Sequence, residues 1–164
     1  SEAVSGVVPK ETRLWKIQPQ FLAGGGQEPT IVSEVKEWFE MKYLYLYTFQ
    51  IASEDFDPSV LNKAYSHAKE SKMGNRAYAR LNKESVWLYV GSSEKIHQRL
   101  KEHLGFGAKQ TYALHLAYWA SSINVEINFE CAKYPIGTSK VALQALEDTL
   151  WEELLPMFGR QGVR

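Results

Sequence analysis

A single cysteine, Cys131, leaves this 164-residue chain with no intramolecular disulfide and no thiolate zinc cluster. That scarcity points to a reducing compartment, and the expected location is cytoplasmic. No apolar run approaches the roughly 20 residues that span a bilayer, so no membrane partner is expected. The stretch from Ser1 to Val8 lacks the basic start and apolar core of a signal peptide. An excess of charge of one sign is missing too, because 19 Lys and Arg balance 19 Asp and Glu. Without net positive charge the chain has no overall pull on a polyanion, so any nucleic-acid contact must come from charge gathered locally. His67, His97, His103 and His115 lack a compact metal-ligand spacing, which argues against a zinc site.

What the chain does have is 45% hydrophobic residues, enough for one domain with a packed core. Residues 1–40 read as an N-terminal arm and a short helix. Pro9, Pro19, Gly24-Gly25-Gly26 and Pro29 act as breakers, Leu14, Trp15, Phe21 and Leu22 dock on the domain, and a helix starts at Thr30. Residues 41–164 then form the main domain. Lys42 to Ile51 predicts a strand with Tyr43, Tyr45, Tyr47 and Phe49 on one face and Leu44 and Leu46 on the other. Asp57-Pro58 opens a helix to about Lys72, because Asp caps well and Pro suits the first turn. Val86 to Val90 predicts a second strand, after which Ser92 or Ser93 caps a helix to about Leu104. Thr111 to Ala120 reads as helical. Ile123, Val125, Ile127, Phe129 and Cys131 alternate with polar residues as a third strand, and a last helix runs from Ser139 to about Leu155. The expected fold is α+β, a small three-stranded, mainly antiparallel sheet flanked by helices.

Three groups of residues could carry chemistry. On the helix after Gly91, Lys95, Arg99 and His103 form one stripe beside the apolar Ile96, Leu100 and Leu104, so Arg99 is held over packed structure. A fixed guanidinium grips phosphate oxygens and stabilises growing negative charge. Free amides at a helix start near Ser92-Ser93 would favour the same anion. Tyr89 ends a strand at the glycine turn, and a phenol beside a cation can orient or deprotonate water. Glu147 falls inside the apolar stripe of Leu143, Leu146, Leu150 and Leu154, a costly place for a carboxylate unless a cation pairs with it. A divalent ion is the cation that would turn this cost into chemistry. Each group also has a plainer reading: a solvated basic helix face, tyrosines that suit a pleated sheet, and a carboxylate paired with a lysine or arginine. Trp15, Trp38, Trp119 and Trp151 read as packing anchors and Cys131 as an inert core thiol.

Taken together, Tyr89-Val90-Gly91, Arg99, His103, the strand ending Asn128-Phe129-Glu130-Cys131, Glu147 and the later Pro156 resemble the GIY-YIG nuclease family over about residues 42–159. The first signature tripeptide is absent; Leu46-Tyr47 or Leu44-Tyr45 stands in its place, with Tyr47 favoured because Phe49 follows. Gly159 stands where an asparagine is common. The stretch at about 53–84 is an insertion between the first two strands. The resemblance implies a metal-dependent endonuclease hydrolysing phosphodiester bonds, with DNA expected ahead of RNA and the choice between them left open. Tyr47, Tyr89, Arg99, His103 and Glu147 would be its catalytic groups, with Glu147 the ligand of Mg²⁺ or Mn²⁺. Tyr89, ahead of Tyr47, would handle the attacking water. Arg76, Arg80 and Lys83 of the insertion, with Lys95, Lys101 and Lys109, are the expected nucleic-acid contacts. The alternative is a catalytically inactive nucleic-acid-binding or protein-interaction module on the same fold. Oligomeric state stays open, a homodimer included.

Overall fold

The computed structural model describes residues 7–22, 26–135 and 137–162. The glycine break at Gly24-Gly25, Ile136 of the expected turn after the third strand, and the start of the segment from Ser1 to Val8 lie outside the described residues. Strands β1 (Glu11–Ile17), β2 (Tyr43–Ile51), β3 (Trp87–Ser93) and β4 (Ile127–Pro135) form one sheet in the order β1-β4-β2-β3. Every neighbouring pair is antiparallel. The helices are α1 (Thr30–Trp38), α2 (Pro58–Ser71), α3 (Ile96–Leu104), α4 (Leu116–Trp119) and α5 (Lys140–Leu154). The α+β class holds. The sheet, however, has four strands and not three, because the arm expected to be irregular supplies β1. That segment alternates Glu11, Arg13 and Trp15 with Thr12, Leu14 and Lys16, and its full register against β4 satisfies its backbone at the sheet edge. Among the described residues, no helix is long and apolar enough to cross a membrane.

The two faces of β2 go to different layers, as period-2 alternation requires. Tyr45, Tyr47, Phe49 and Ile51 enter the main core with Val35 of α1, Leu61 of α2 and Leu100 of α3. Leu44 and Leu46 lie on the opposite side with Leu143 of α5, and Leu146 and Leu150 cover them. At roughly 25 cal/mol per Å² of apolar area removed from water, these two layers supply most of the drive for the sheet to form. Asp57 caps α2 by accepting the Ser59 amide at 3.0 Å, and Ser139 caps α5 through the Ala142 amide. Lys133 of β4 is a buried cation that the sequence reading missed. Its Nζ donates to Trp38 O at 2.8 Å and to Glu40 at 3.0 Å, and lies 4.4 Å from the Trp38 ring centre.

Three further expectations are corrected. β3 runs on through Gly91 to Ser93 because Tyr47, Leu46 and Tyr45 pair with Gly91, Ser92 and Ser93. Helix α3 therefore starts at Ile96, and the Ser92-Ser93 amides are not a helix N-terminus. The stretch expected to be helical from Thr111 keeps helix only at Leu116–Trp119, because Ala113 pairs with Tyr78 in a short parallel bridge. The third expected strand starts later and runs further, to Pro135, since β2 offers it partners as far as Tyr43.

Candidate active site

Tyr47 and Tyr89 face each other across neighbouring strands with nearly parallel rings, 6° apart in tilt and 6.0 Å between centres. Register produces this pair: Tyr47 lies opposite Gly91 and Phe49 opposite Tyr89. The close approach depends on Gly91, where a Cβ would meet the Tyr47 hydroxyl at 2.7 Å. It depends equally on Gly159, at φ +97°, where a Cβ would stand 2.7 Å from the Tyr89 ring. At that φ a side chain on any residue other than glycine is strained, so Gly159 keeps the approach to Tyr89 open. Tyr45, the other first-strand tyrosine considered, lies apart: its hydroxyl accepts from Glu40 N and donates to Glu40 O.

Arg99 reaches from α3 to both phenols. Its Nε donates to Tyr47 Oη at 3.1 Å, its Nη2 to Tyr89 Oη at 2.9 Å and its Nη1 to Glu102 at 2.9 Å. Those bonds use three of the five guanidinium protons and leave two for an incoming anion. Burial opposes the Arg99 charge, yet the two phenols and Glu102 more than offset it, so the side chain stays cationic. His103 lies fully buried behind the tyrosines, its ring 4.4 Å from that of Tyr89. Its Nδ1 accepts the Leu114 amide proton at 3.1 Å, which places the ring hydrogen on Nε2, 2.9 Å from Tyr47 Oη. Burial, then Arg99 and His115, push its pKa well below the usual 6.5, so it is neutral. His103 thus bonds to Tyr47 from behind and is not part of the cleft lining.

Tyr47 Oη therefore accepts two hydrogen bonds, and its own proton points away from both donors. Burial drives this phenol far above its ordinary value near 10, and Arg99 offsets only part of that, so it remains protonated at neutral pH. Glu147 on α5 is 4% exposed, and its Oε1 accepts the Ser92 hydroxyl at 2.5 Å. The Glu147 charge is one of the influences that raise Tyr47, which shows the two groups to be electrostatic neighbours.

Tyr47, Tyr89, Arg99, Ser92 and Glu147 line one cleft of about 1340 Å³. Its charged lining consists of Lys69, Arg80, Lys95, Arg99, Lys140 and Arg160 against Glu94 and Glu147. The chain is neutral overall, but the charge around this cleft is mainly positive. Of the expected nucleic-acid contacts, Arg80 and Lys95 line the cleft and are exposed. Lys83 and Lys109 are exposed elsewhere, and Lys101 pairs with Glu28 at 3.1 Å. Arg76 serves as a clamp, donating to Gly107 O and Tyr118 Oη and stacking 4.5 Å from the Tyr118 ring centre.

The sequence reading missed Lys69, Lys140, Arg160 and Tyr112 at this cleft, the bond of the Ser92 hydroxyl to Glu147, and the bond of Glu102 to Arg99. No local pattern marks them, since each arrives there by packing. Among the described residues, no three or more His, Cys, Asp or Glu gather as a metal site. Glu147 still suits an ion such as Mg²⁺, which is commonly held by one or two carboxylates with the remaining positions taken by water and phosphate oxygens. The donor set of one walled carboxylate beside open cleft fits that ion. No family model, curated protein or solved structure matches this chain.

Proposed function

We propose that this chain is a metal-dependent endonuclease of the GIY-YIG type that hydrolyses phosphodiester bonds, with DNA as substrate. The observation that carries the reading is Arg99, one half-buried guanidinium bonded to two phenols in a cleft whose wall also holds Glu147. Its two remaining donors would grip the scissile phosphate and stabilise the charge that grows on it. Glu147 would hold Mg²⁺ or Mn²⁺, and the bound ion supplies neutralisation of phosphate charge. Tyr89, at the cleft surface, orients the attacking water through its phenol oxygen, and the water's proton passes to solvent as its oxygen bonds to phosphorus. The bond from phosphorus to the leaving sugar oxygen breaks, and that oxygen takes a proton from solvent. Tyr47 stays protonated, and with His103 behind it fixes the angle of Arg99.

The test is incubation of supercoiled plasmid and of single-stranded DNA with Mg²⁺, with Mn²⁺, or with EDTA. Cleavage that EDTA abolishes, and that Glu147→Gln removes without changing the melting temperature, is the expected result. Binding without cleavage under every condition would make the chain an inactive module on this fold. Cleavage by Glu147→Gln at the wild-type rate would remove the metal assignment.

A further inference from the structure

The cleft has a second wall, away from Arg99 and Glu147, made where three short segments meet. Residues 78–80 of the insertion pair with 111–113 through the Tyr78–Ala113 bridge and the bond from Ala79 N to Ala113 O at 3.2 Å. They meet 158–160 through the bond from Gly159 N to Arg80 O at 2.8 Å. Along these segments Tyr78, Ala79, Ala113, Phe158 and Gly159 are buried, while Arg80, Tyr112 and Arg160 are exposed. Tyr112 is 69% exposed, an aromatic ring presented at the lining of the cleft. Lys69 stands on the same wall, held by the Tyr78 and Ala79 carbonyls at 3.2 Å. Among the described residues, no carboxylate lies within ion-pair distance of Lys69, Arg80 or Arg160. Like charges gathered without a counter-charge repel, and the pull of burial and of Arg160 on Lys69 is downward. A wall of this kind suits an anion with a flat apolar face beside it.

We infer that Tyr112, Arg80 and Arg160 form a subsite for an unpaired nucleotide of the DNA strand. The base stacks on the Tyr112 ring, and the flanking phosphates lie on the two guanidinium groups. The inference rests on the reading of the cleft as a phosphodiester-cutting site and adds the substrate class: DNA with a single-stranded segment. A duplex interior offers no base face to an aromatic ring, whereas single strands stack on such rings in a sequence-tolerant way. The mostly positive cleft inside a neutral chain suits a single strand drawn into one groove better than a long duplex laid across the whole surface.

Binding is measured by fluorescence anisotropy in EDTA, so that nothing is cut, using one fluorescein-labelled oligodeoxynucleotide either single-stranded or as a blunt duplex. The full chain is compared with Tyr112→Ala, Tyr112→Phe and Arg160→Gln. The expected result is tighter binding of the single strand, weakened about fivefold or more by Tyr112→Ala and kept by Tyr112→Phe, with duplex binding unchanged. Arg160→Gln should weaken binding and flatten its salt dependence. Wild-type single-strand affinity in Tyr112→Ala, or an equal loss on duplex, overturns the subsite. Parallel incubations with Mg²⁺ and Mn²⁺ keep the two readings apart. Cutting that ignores Tyr112 in both binding and rate removes the subsite alone, and Tyr112-dependent binding without cutting removes the nuclease reading and keeps the subsite.

Discussion

At the scale of single residues the proposed chemistry turns on Arg99, because one side chain holds both phenols and would keep two protons for a substrate phosphate. Arg99→Lys retains the charge but not the fork, so it should lose most of the geometry. We expect cleavage to fall by about 10²–10³, the usual loss when a fixed donor to developing charge is removed, measured under single-turnover conditions on plasmid. The two tyrosines should separate in a different way. Tyr89→Phe is expected to cut the rate by about 10²–10⁴ with little change in stability, since it removes the hydroxyl that would orient the attacking water at the cleft surface. Tyr47→Phe leaves the Arg99 Nε–H and the His103 Nε2–H without an acceptor in the core, and should cost about 1–3 kcal/mol in urea denaturation. Equal stability losses for both variants would contradict this division. The positions of Tyr89, Arg99, His103 and Glu147 were legible because strand and helix periods place them beside an apolar stripe. Glu102, Ser92 and the burial of Tyr47 were not, since each depends on which elements stack on which.

Elements with strong local signals formed where the sequence placed them: Asp57-Pro58 begins α2, Ser139 begins α5, and the tyrosine-rich run is β2. Those that failed were decided by partners distant in sequence. β1 carries charged residues through most of its length and exists as a strand because β4 offers it a ladder. The stretch at 111–115 gives up helix to pair with the segment between β2 and β3, and β3 is prolonged by β2. The segment between β2 and β3 is thereby part of the cleft wall, as is the segment after α5. That segment is fastened by bonds from Met157 N to Trp87 O and from Phe158 N to Leu88 O, with Asn82 donating to Gly159 O at 2.8 Å. Gly159→Ala tests the fastening. A left-handed backbone costs a non-glycine residue about 1–2 kcal/mol, and the new methyl would also press on the Tyr89 ring. The expected outcome is a loss of stability of at least that size together with reduced cleavage. A variant of wild-type stability would show that the segment is free to move from β3.

Over the whole molecule, the sequence charge sums to zero while two buried imidazoles remain neutral, and the pH dependence of stability follows from them. His103 is held below the usual 6.5 by burial, then by Arg99 and His115, and its ring faces Tyr47, Phe49 and Tyr89. His115 is lowered chiefly by burial, against the opposing pull of the Thr111 and Ala77 carbonyls. Unfolding frees both rings to take up protons at their ordinary pKa, so the unfolded chain binds more protons than the native one once pH drops below about 6.5. Stability therefore rises with pH through this window and falls as the solution is acidified, by up to about 1.4 kcal/mol per pH unit for each imidazole. Carboxylates held low by their partners, such as Glu40 beside Lys133 and Asp57 at its cap, act only further down, near and below the usual carboxylate range. The window between pH 6.5 and 5 thus belongs to the histidines. Urea denaturation at intervals from pH 7.5 to 5 should show a falling midpoint, and His103→Asn, which keeps an acceptor for the Leu114 amide, should reduce the slope while lowering stability at pH 7.5. A midpoint that stays flat across the window, or a slope that His103→Asn leaves unchanged, would mean that His103 is not the buried neutral group behind Tyr47.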